Sequence, residues 1–117
     1  MGRTLLQPGE ARRHPRVEYQ RRAWCEHHAF TLYLCIANLS HEGLFIQTST
    51  PFARGERLRV ALTDAAAGSS PPIEIEAEVR WSSTHGRATG IGCQIVLIAQ
   101  GGERYAELVE QLAQLGR

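Results

Sequence analysis

The sequence has no lysine: all thirteen of its basic residues are arginine. It has only three cysteines (Cys25, Cys35 and Cys93), an odd number without CxxC spacing, which argues against a disulfide scaffold. No apolar run approaches the ~20 residues of a membrane-spanning helix. The first residues lack the apolar core of a secretory signal, so we expect a cytoplasmic protein with reduced thiols.

The residues that are present are typical of one folded domain. The chain has 117 residues, of which 43% are hydrophobic and 21% charged, and this is enough for one domain with a hydrophobic core. Its net charge of +1 argues against general affinity for nucleic acids. The arginines are nevertheless clustered, since six of the thirteen lie in the first 22 residues. The arginine side chain presents a planar fork of donors that suits phosphate and the guanine edge.

The N-terminal residues form a segment of their own. Residues 1–18 have no apolar period, contain Pro8 and Pro15, and hold most of the local positive charge. A residue before proline avoids the helical region, so this segment is not expected to be helical around Arg12 to Arg16. The sequence predicts a flexible N-terminal arm over residues 1–18 and a folded domain over residues 19–117.

From Tyr19 onward apolar and polar residues alternate, which is typical of half-buried antiparallel strands. The clearest run spans residues 73–81, with glutamates at its outward positions. Its inward positions are Ile73, Ile75, Ala77, Val79 and Trp81. The run over residues 91–98 is more apolar and is predicted to be more buried. Several such runs at roughly ten-residue spacing predict a sandwich or barrel.

The period changes after Gly101. Between Glu103 and Gly116 the apolar residues recur at intervals of three and four, which predicts one amphipathic helix. Glu103 favours a helix N-terminus, and Gly116 can end the helix. The residues therefore predict a small antiparallel barrel with one C-terminal helix.

Two short motifs contain residues that suit an anionic ligand. Arg12-Arg-His-Pro-Arg16 is an RxxxR pattern in the predicted arm, and Asn38-Leu-Ser-His-Glu-Gly43 is an NxSxxG pattern at a strand end. Each also has a purely structural interpretation. RxxxR recurs by chance in arginine-rich chains, and NxSxxG can shape a strand connection in which Gly43 has a positive φ.

Together and in this order, the two motifs resemble the PilZ domain family. Gly43-Leu-Phe-Ile46, Val79-Arg-Trp81 and Gly90-Ile-Gly-Cys-Gln94 are similar to later strands of that family, and the resemblance covers about residues 10 to 115. It implies a mainly β fold, a six-stranded antiparallel β-barrel with one C-terminal α-helix. It also implies a receptor for cyclic di-GMP, a bacterial second messenger, that changes the conformation of its arm and signals to an effector protein.

The resemblance assigns ligand contacts to particular residues. Arg12 and Arg16 would hold guanine and phosphate from the arm, and Arg13 would add a phosphate contact. Asn38 and Ser40 would bind a guanine or its phosphate.

The resemblance also implies that three further positions influence ligand binding. Gly43 would let the turn approach the ligand closely. A tryptophan matching Trp81 lies near the bound base in some relatives, whereas the strand pattern favours a core position for it. Ala11 occupies the position that influences whether one ligand or a stacked pair binds, and the number of ligands stays open.

Other function classes have less support. A PilZ-like adaptor that binds only proteins is the alternative, although such relatives typically lack the arginine pair. No catalytic motif is present, so we expect no enzyme. The spacing of Cys25, His27 and His28 does not match a zinc site, and strand alternation would put the two histidines on opposite faces. No metal and no cofactor besides the ligand cyclic di-GMP is expected.

The expected partners are cyclic di-GMP and an effector protein, without nucleic acid or membrane insertion. A barrel that binds single strands would need aromatic residues among basic ones on an exposed strand. The outward positions of residues 73–81 are mostly acidic instead. The sequence leaves the oligomeric state open.

Overall fold

The computed structural model describes residues 16–63, 71–84 and 89–115. This part of the chain forms six strands followed by one helix. The elements are β1 (Val17–His27), β2 (Phe30–Leu39), β3 (Gly43–Gln47), β4 (Arg57–Leu62), β5 (Ile73–Ser83), β6 (Gly90–Gln100) and α1 (Gly102–Leu115). The mainly β class predicted from the alternating residues is confirmed.

The six strands form a closed antiparallel barrel in the order β1-β2-β3-β6-β5-β4. Pairing of Trp24 in β1 with Ala61 in β4 closes the ring. The pairing of β3 with β6 also joins strands that are distant in sequence, and it sets Gly43 opposite Gln94. As a result, the connection after β2 lies beside the first half of β6.

The barrel interior is filled by the inward residues of the alternating runs. In β5, Ile73, Ile75, Ala77 and Val79 are at most 4% exposed, as the alternation predicts. The glutamates between them face outward, and two of them pair with arginines of β4, as in the contact of Arg59 with Glu76 at 3.0 Å. Alternating hydrophobicity therefore positions this strand as expected.

The prediction for the run over residues 91–98 is wrong in its second half. The first residues of β6 are buried, but Val96 and Leu97 are 45% and 53% exposed. A strand can bury both of its faces only where other elements cover both. The helix packs mainly against β1 and β5 instead, and the side chains of Val96 and Leu97 stay exposed.

The helix begins where Gly101, at a φ of +83°, turns the chain out of β6. Tyr105 and Val109 are its buried residues, and Leu108 and Leu112 pack partly against the core. This agrees with the predicted spacing, except that Leu115 is 80% exposed. The described residues contain no helix that is both long enough and apolar enough to span a membrane.

The barrel begins slightly earlier than expected. Val17 and Glu18 already pair with Leu39 and Asn38 of β2, whereas the sequence predicts that the arm extends to residue 18. The register then shifts between Glu18 and Arg21, and Gln20 takes a positive φ of 53° within this bulge. Such an extra residue bends the strand and increases its twist.

The arginines Arg12 and Arg13 of the RxxxR motif lie outside the described residues.

The histidines and the buried cysteines form no metal site among the described residues. His28 lies beyond the end of β1, so the alternation does not apply to it, and its ring lies 4.0 Å from that of His27. Among the described residues, no group of three or more potential ligands could hold a metal. Burial raises the pKa of both Cys25 and Cys93 to about 12, so these thiols stay protonated and behave as small hydrophobic groups.

Candidate functional site

The connection between β2 and β3 is a tight turn organised by Ser40. The Ser40 Oγ accepts hydrogen bonds from the backbone N–H groups of Glu42, at 3.2 Å, and Gly43, at 3.0 Å. The Ser40 N–H in turn donates to the Gly43 carbonyl at 2.9 Å. Ser40 is only 1% exposed. The serine of the NxSxxG motif therefore holds the shape of the turn, as short polar side chains commonly do.

Gly43 is required by close approach rather than by an unusual backbone angle. A Cβ at this position would lie 2.6 Å from the Cys93 carbonyl oxygen and 3.6 Å from Nη2 of Arg16. The positive φ expected here is wrong: within the described residues, the glycines with positive φ are Gly55 and Gly101. The absence of a side chain lets β6 and Arg16 come up against the turn.

Arg16 joins the two sequence motifs. Its Nη1 donates a hydrogen bond of 3.0 Å to Oδ1 of Asn38, 22 residues further along the chain. The register of β2 against β3 shifts between Ile36 and Asn38, so a bulge lies directly before the residue that receives Arg16. The last arginine of RxxxR and the asparagine of NxSxxG are therefore in direct contact.

The Arg16 guanidinium also influences the groups behind it. Burial raises the pKa of the Tyr105 hydroxyl and of the Cys93 thiol, while the charge of Arg16 opposes both shifts. Arg16 thus lies close enough to the barrel interior to exert an electrostatic effect on α1 and β6.

An open cavity of about 630 Å³ lies in front of this turn. It is lined by Arg16, Ser40, Glu42, Gly43, Arg54, Arg80, Trp81, Gly92, Cys93 and Gln94. Four of the residues that the sequence nominated thus surround one space: Arg16, Ser40, Gly43 and Trp81. Asn38 does not line the cavity but holds Arg16 at its edge.

Trp81 lies in the cavity wall and not in the barrel core, which corrects the inward position expected from the alternation. The register of β5 against β6 shifts between Val79 and Trp81, and this bulge changes the face on which Trp81 lies. Its ring stacks on Phe45 at 5.4 Å between centroids. A side chain at Gly92 would occupy the space of the indole, so the glycine makes room for it.

Four polar residues of the wall were not predicted as site residues: Glu42, Arg54, Arg80 and Gln94. Gln94 pairs with Gly43 across β6 and β3, a neighbour relation that only the strand order reveals. Arg54 belongs to a turn and Arg80 to an alternating strand, so each has the sequence pattern of an ordinary surface residue.

The wall contains three arginines and one glutamate, so the cavity has a net positive charge, which suits an anionic ligand.

The helix supports the turn from behind. The Tyr105 hydroxyl donates a 2.6 Å hydrogen bond to the Ser40 carbonyl, and Tyr105 is 1% exposed. A second cavity, of about 370 Å³, lies between α1 and the barrel and includes none of the motif residues. The motif residues therefore select the cavity at the turn as the candidate site.

The family profile of the PilZ domain matches residues 10–113. The match covers most of the chain and both motifs, and the chain therefore belongs to the PilZ domain family. The two motifs and the later strands that resembled the family all lie within the matched residues. The resemblance drawn from the motifs is confirmed.

Two solved structures resemble the chain in fold. One is the inhibitor of motility MotI/DgrA from Bacillus subtilis, with a TM-score of 0.70 and 19% identity over 92% of this chain. The chain spans about half of that structure, 52% of its length. The other is the PilZ domain with c-di-GMP of YcgR from Escherichia coli, with a TM-score of 0.58, 17% identity, and coverage of 92% of this chain and 95% of the other. No curated protein matches the sequence.

Proposed function

We propose that this protein is a receptor for cyclic di-GMP, a signalling protein and not an enzyme. The observation that supports this most directly is the arrangement of Arg16, Ser40, Gly43 and Trp81 around one cavity. A PilZ domain of similar fold, that of YcgR, has a structure with c-di-GMP. Cyclic di-GMP has two phosphates and two guanines, and the cavity offers groups that suit both.

The chemistry of the wall matches the ligand group by group. The Arg16 guanidinium can donate to a phosphate or to the O6 and N7 atoms of guanine. The indole of Trp81 offers a face on which a base can stack, a contact that contributes about 1–3 kcal/mol in other proteins. Arg12 and Arg13, which precede Arg16 on the chain, are proposed to add further contacts to the phosphates.

Ligand binding would change the conformation of the N-terminal arm. Arg16 is the link between these residues and the cavity, and its hydrogen bond to Asn38 would be exchanged for or shared with the ligand. A ligand can shift the conformation of the arm only by its difference in affinity for the two arrangements. The altered surface would then be recognised by an effector protein in the cytoplasm.

Calorimetric titration of the full chain with cyclic di-GMP tests this proposal, with GTP as the control ligand. We expect saturable binding in the micromolar range or tighter, and no binding of GTP. The Arg16→Ala variant should lose at least tenfold in affinity, because it lacks one charge-assisted contact. Limited proteolysis of the same samples reports whether the ligand changes access to the N-terminal residues.

Arg59→Ala is the matched control, since Arg59 pairs with Glu76 on the outer face and does not line the cavity. It should bind like the parent protein.

If folded parent protein gives no binding, the receptor proposal is wrong and the adaptor that binds only proteins takes its place. The exposed aromatic pair Trp24 and Tyr33, with ring centroids 4.7 Å apart, is the surface that favours such a protein partner.

A further inference from the structure

The cavity has a second side to which neither sequence motif contributes. Strands β3, β6 and β5 lie next to one another across it, with Arg16 beside Gly43 at the start of β3. Arg54 lies at the other edge, in the turn that leads into β4, the strand next to β5 in the barrel. Neighbouring strands lie about 4.8 Å apart, so Arg16 beside β3 and Arg54 beside β5 are separated by the width of this three-strand surface.

The turn that contains Arg54 is fixed to the barrel. The Gly55 N–H donates to the Val79 carbonyl at 2.7 Å, and the Val79 N–H donates to the Glu56 carbonyl at 2.9 Å. The Glu56 carboxylate holds the turn from another side, because it accepts from the Ala53 N–H at 3.2 Å. Arg54 is therefore an exposed side chain on a backbone that is anchored directly beside the cavity.

The Glu56 carboxylate also contacts His27, with 2.8 Å between Oε1 and Nε2. The hydrogen bond from the Ala53 N–H and the one with His27 lower the pKa of Glu56, because both stabilise its charged carboxylate. This links the turn to the end of β1 as well as to β5.

Arg80 lies on the neighbouring strand and is held in a different way. Its Nη1 contacts Oε2 of Glu78 at 3.2 Å, while Oε1 of the same carboxylate contacts Nε of Arg57 at 3.4 Å. One carboxylate thus serves two arginines and cannot neutralise both. Arg54 makes no ion pair with any described residue. This side of the cavity therefore has more positive than negative charge, and its guanidinium groups can bind an anion bidentately.

We propose that Arg54 and Arg80 form a second phosphate-binding pair, which holds a phosphodiester on the side of the cavity away from Arg16. The proposal rests on the proposed function, since it assigns two further contacts to the same ligand site. A phosphodiester on this side has two sources: the second phosphate of one cyclic di-GMP molecule, or a phosphate of a second molecule.

The test is a calorimetric titration of the full chain with cyclic di-GMP, using Arg54→Ala, Arg80→Ala and the control Arg59→Ala. Thermal unfolding of each variant checks that the barrel is intact. Each cavity variant should weaken binding by about tenfold or more, as expected for loss of a charge-assisted contact. Arg59→Ala should bind like the parent protein.

The ligand number separates the two sources of the phosphodiester. If the pair holds the second phosphate of a single ligand, the parent and both variants bind one molecule and only the affinity falls. If the pair holds a second molecule, the parent binds two and the variants bind one. Parent-like titration of either variant would overturn the pair while leaving the receptor proposal intact. Failure of the parent itself to bind would instead contradict the proposed function.

Discussion

At the scale of single residues, the cavity depends on contacts between side chains that are distant in sequence. Arg16 reaches Asn38 across β1 and β2, and Gly43 leaves the space into which Arg16 and the Cys93 carbonyl fit. The two motifs predicted that these residues act together. Their sequence spacing could not predict that Gly43 is needed for close approach and not for a positive φ, because that depends on the position of β6.

Gly43→Ala tests this close approach. The new Cβ would lie 2.6 Å from a backbone oxygen, which cannot rotate away as a flexible side chain can. We expect a loss of about 1–3 kcal/mol in the free energy of unfolding, as for other overpacked sites. Denaturant unfolding measures this loss, and affinity for cyclic di-GMP should fall with it.

Gly102→Ala is the control for this substitution, because nothing lies within 4 Å of its ideal Cβ and it begins the helix. It should leave the free energy of unfolding unchanged or raise it slightly. Equal stability of Gly43→Ala and the parent protein would mean that the turn and β6 are not packed as described.

At the scale of elements, three strands bear on the site through irregularities. Register shifts occur between Glu18 and Arg21 in β1, between Ile36 and Asn38 in β2, and between Val79 and Trp81 in β5. Bulges are over-represented next to functional sites, where they redirect side chains. The alternating residues predicted the strands well, and they failed for Trp81 because a bulge interrupts the period of two at that point.

The helix is the element that stabilises the turn from inside. Tyr105→Phe removes the hydroxyl that donates to the Ser40 carbonyl and leaves this buried acceptor without that donor. The net loss in the free energy of unfolding should be about 1 kcal/mol, since a typical intramolecular hydrogen bond contributes about 0.5–1.5 kcal/mol. We also expect a several-fold weaker affinity for cyclic di-GMP, because Ser40 and Gly43 belong to the same turn.

Leu115→Ala on the same helix is the comparison, since Leu115 is 80% exposed and distant from this hydrogen bond in sequence. It should change neither the unfolding free energy nor the affinity. A Tyr105→Phe variant with parent-like stability and affinity would show that the helix does not support the turn.

At the scale of the whole molecule, the order of the strands in the barrel brings the residues of the cavity together. The β3–β6 pairing sets Gly43 beside Gln94, and the β5–β6 pairing sets Trp81 beside Gly92. The family resemblance assigned ligand contacts to motif positions, and so the cavity residues Arg16, Ser40, Gly43 and Trp81 could be predicted from the sequence. Arg54 and Arg80 could not, because no local pattern marks a surface arginine as part of a cavity wall.

The two tryptophans provide the most direct test of where the ligand binds. Trp81 lines the cavity, whereas Trp24 is 53% exposed on β1 and lies outside it. The ¹⁵N-labelled chain should therefore give two indole N–H signals by NMR, which a Trp24→Phe variant assigns. We expect cyclic di-GMP to shift the Trp81 signal saturably and to leave the Trp24 signal in place. A shift of the Trp24 signal alone, or no shift of either signal, would contradict a cyclic di-GMP site in this cavity.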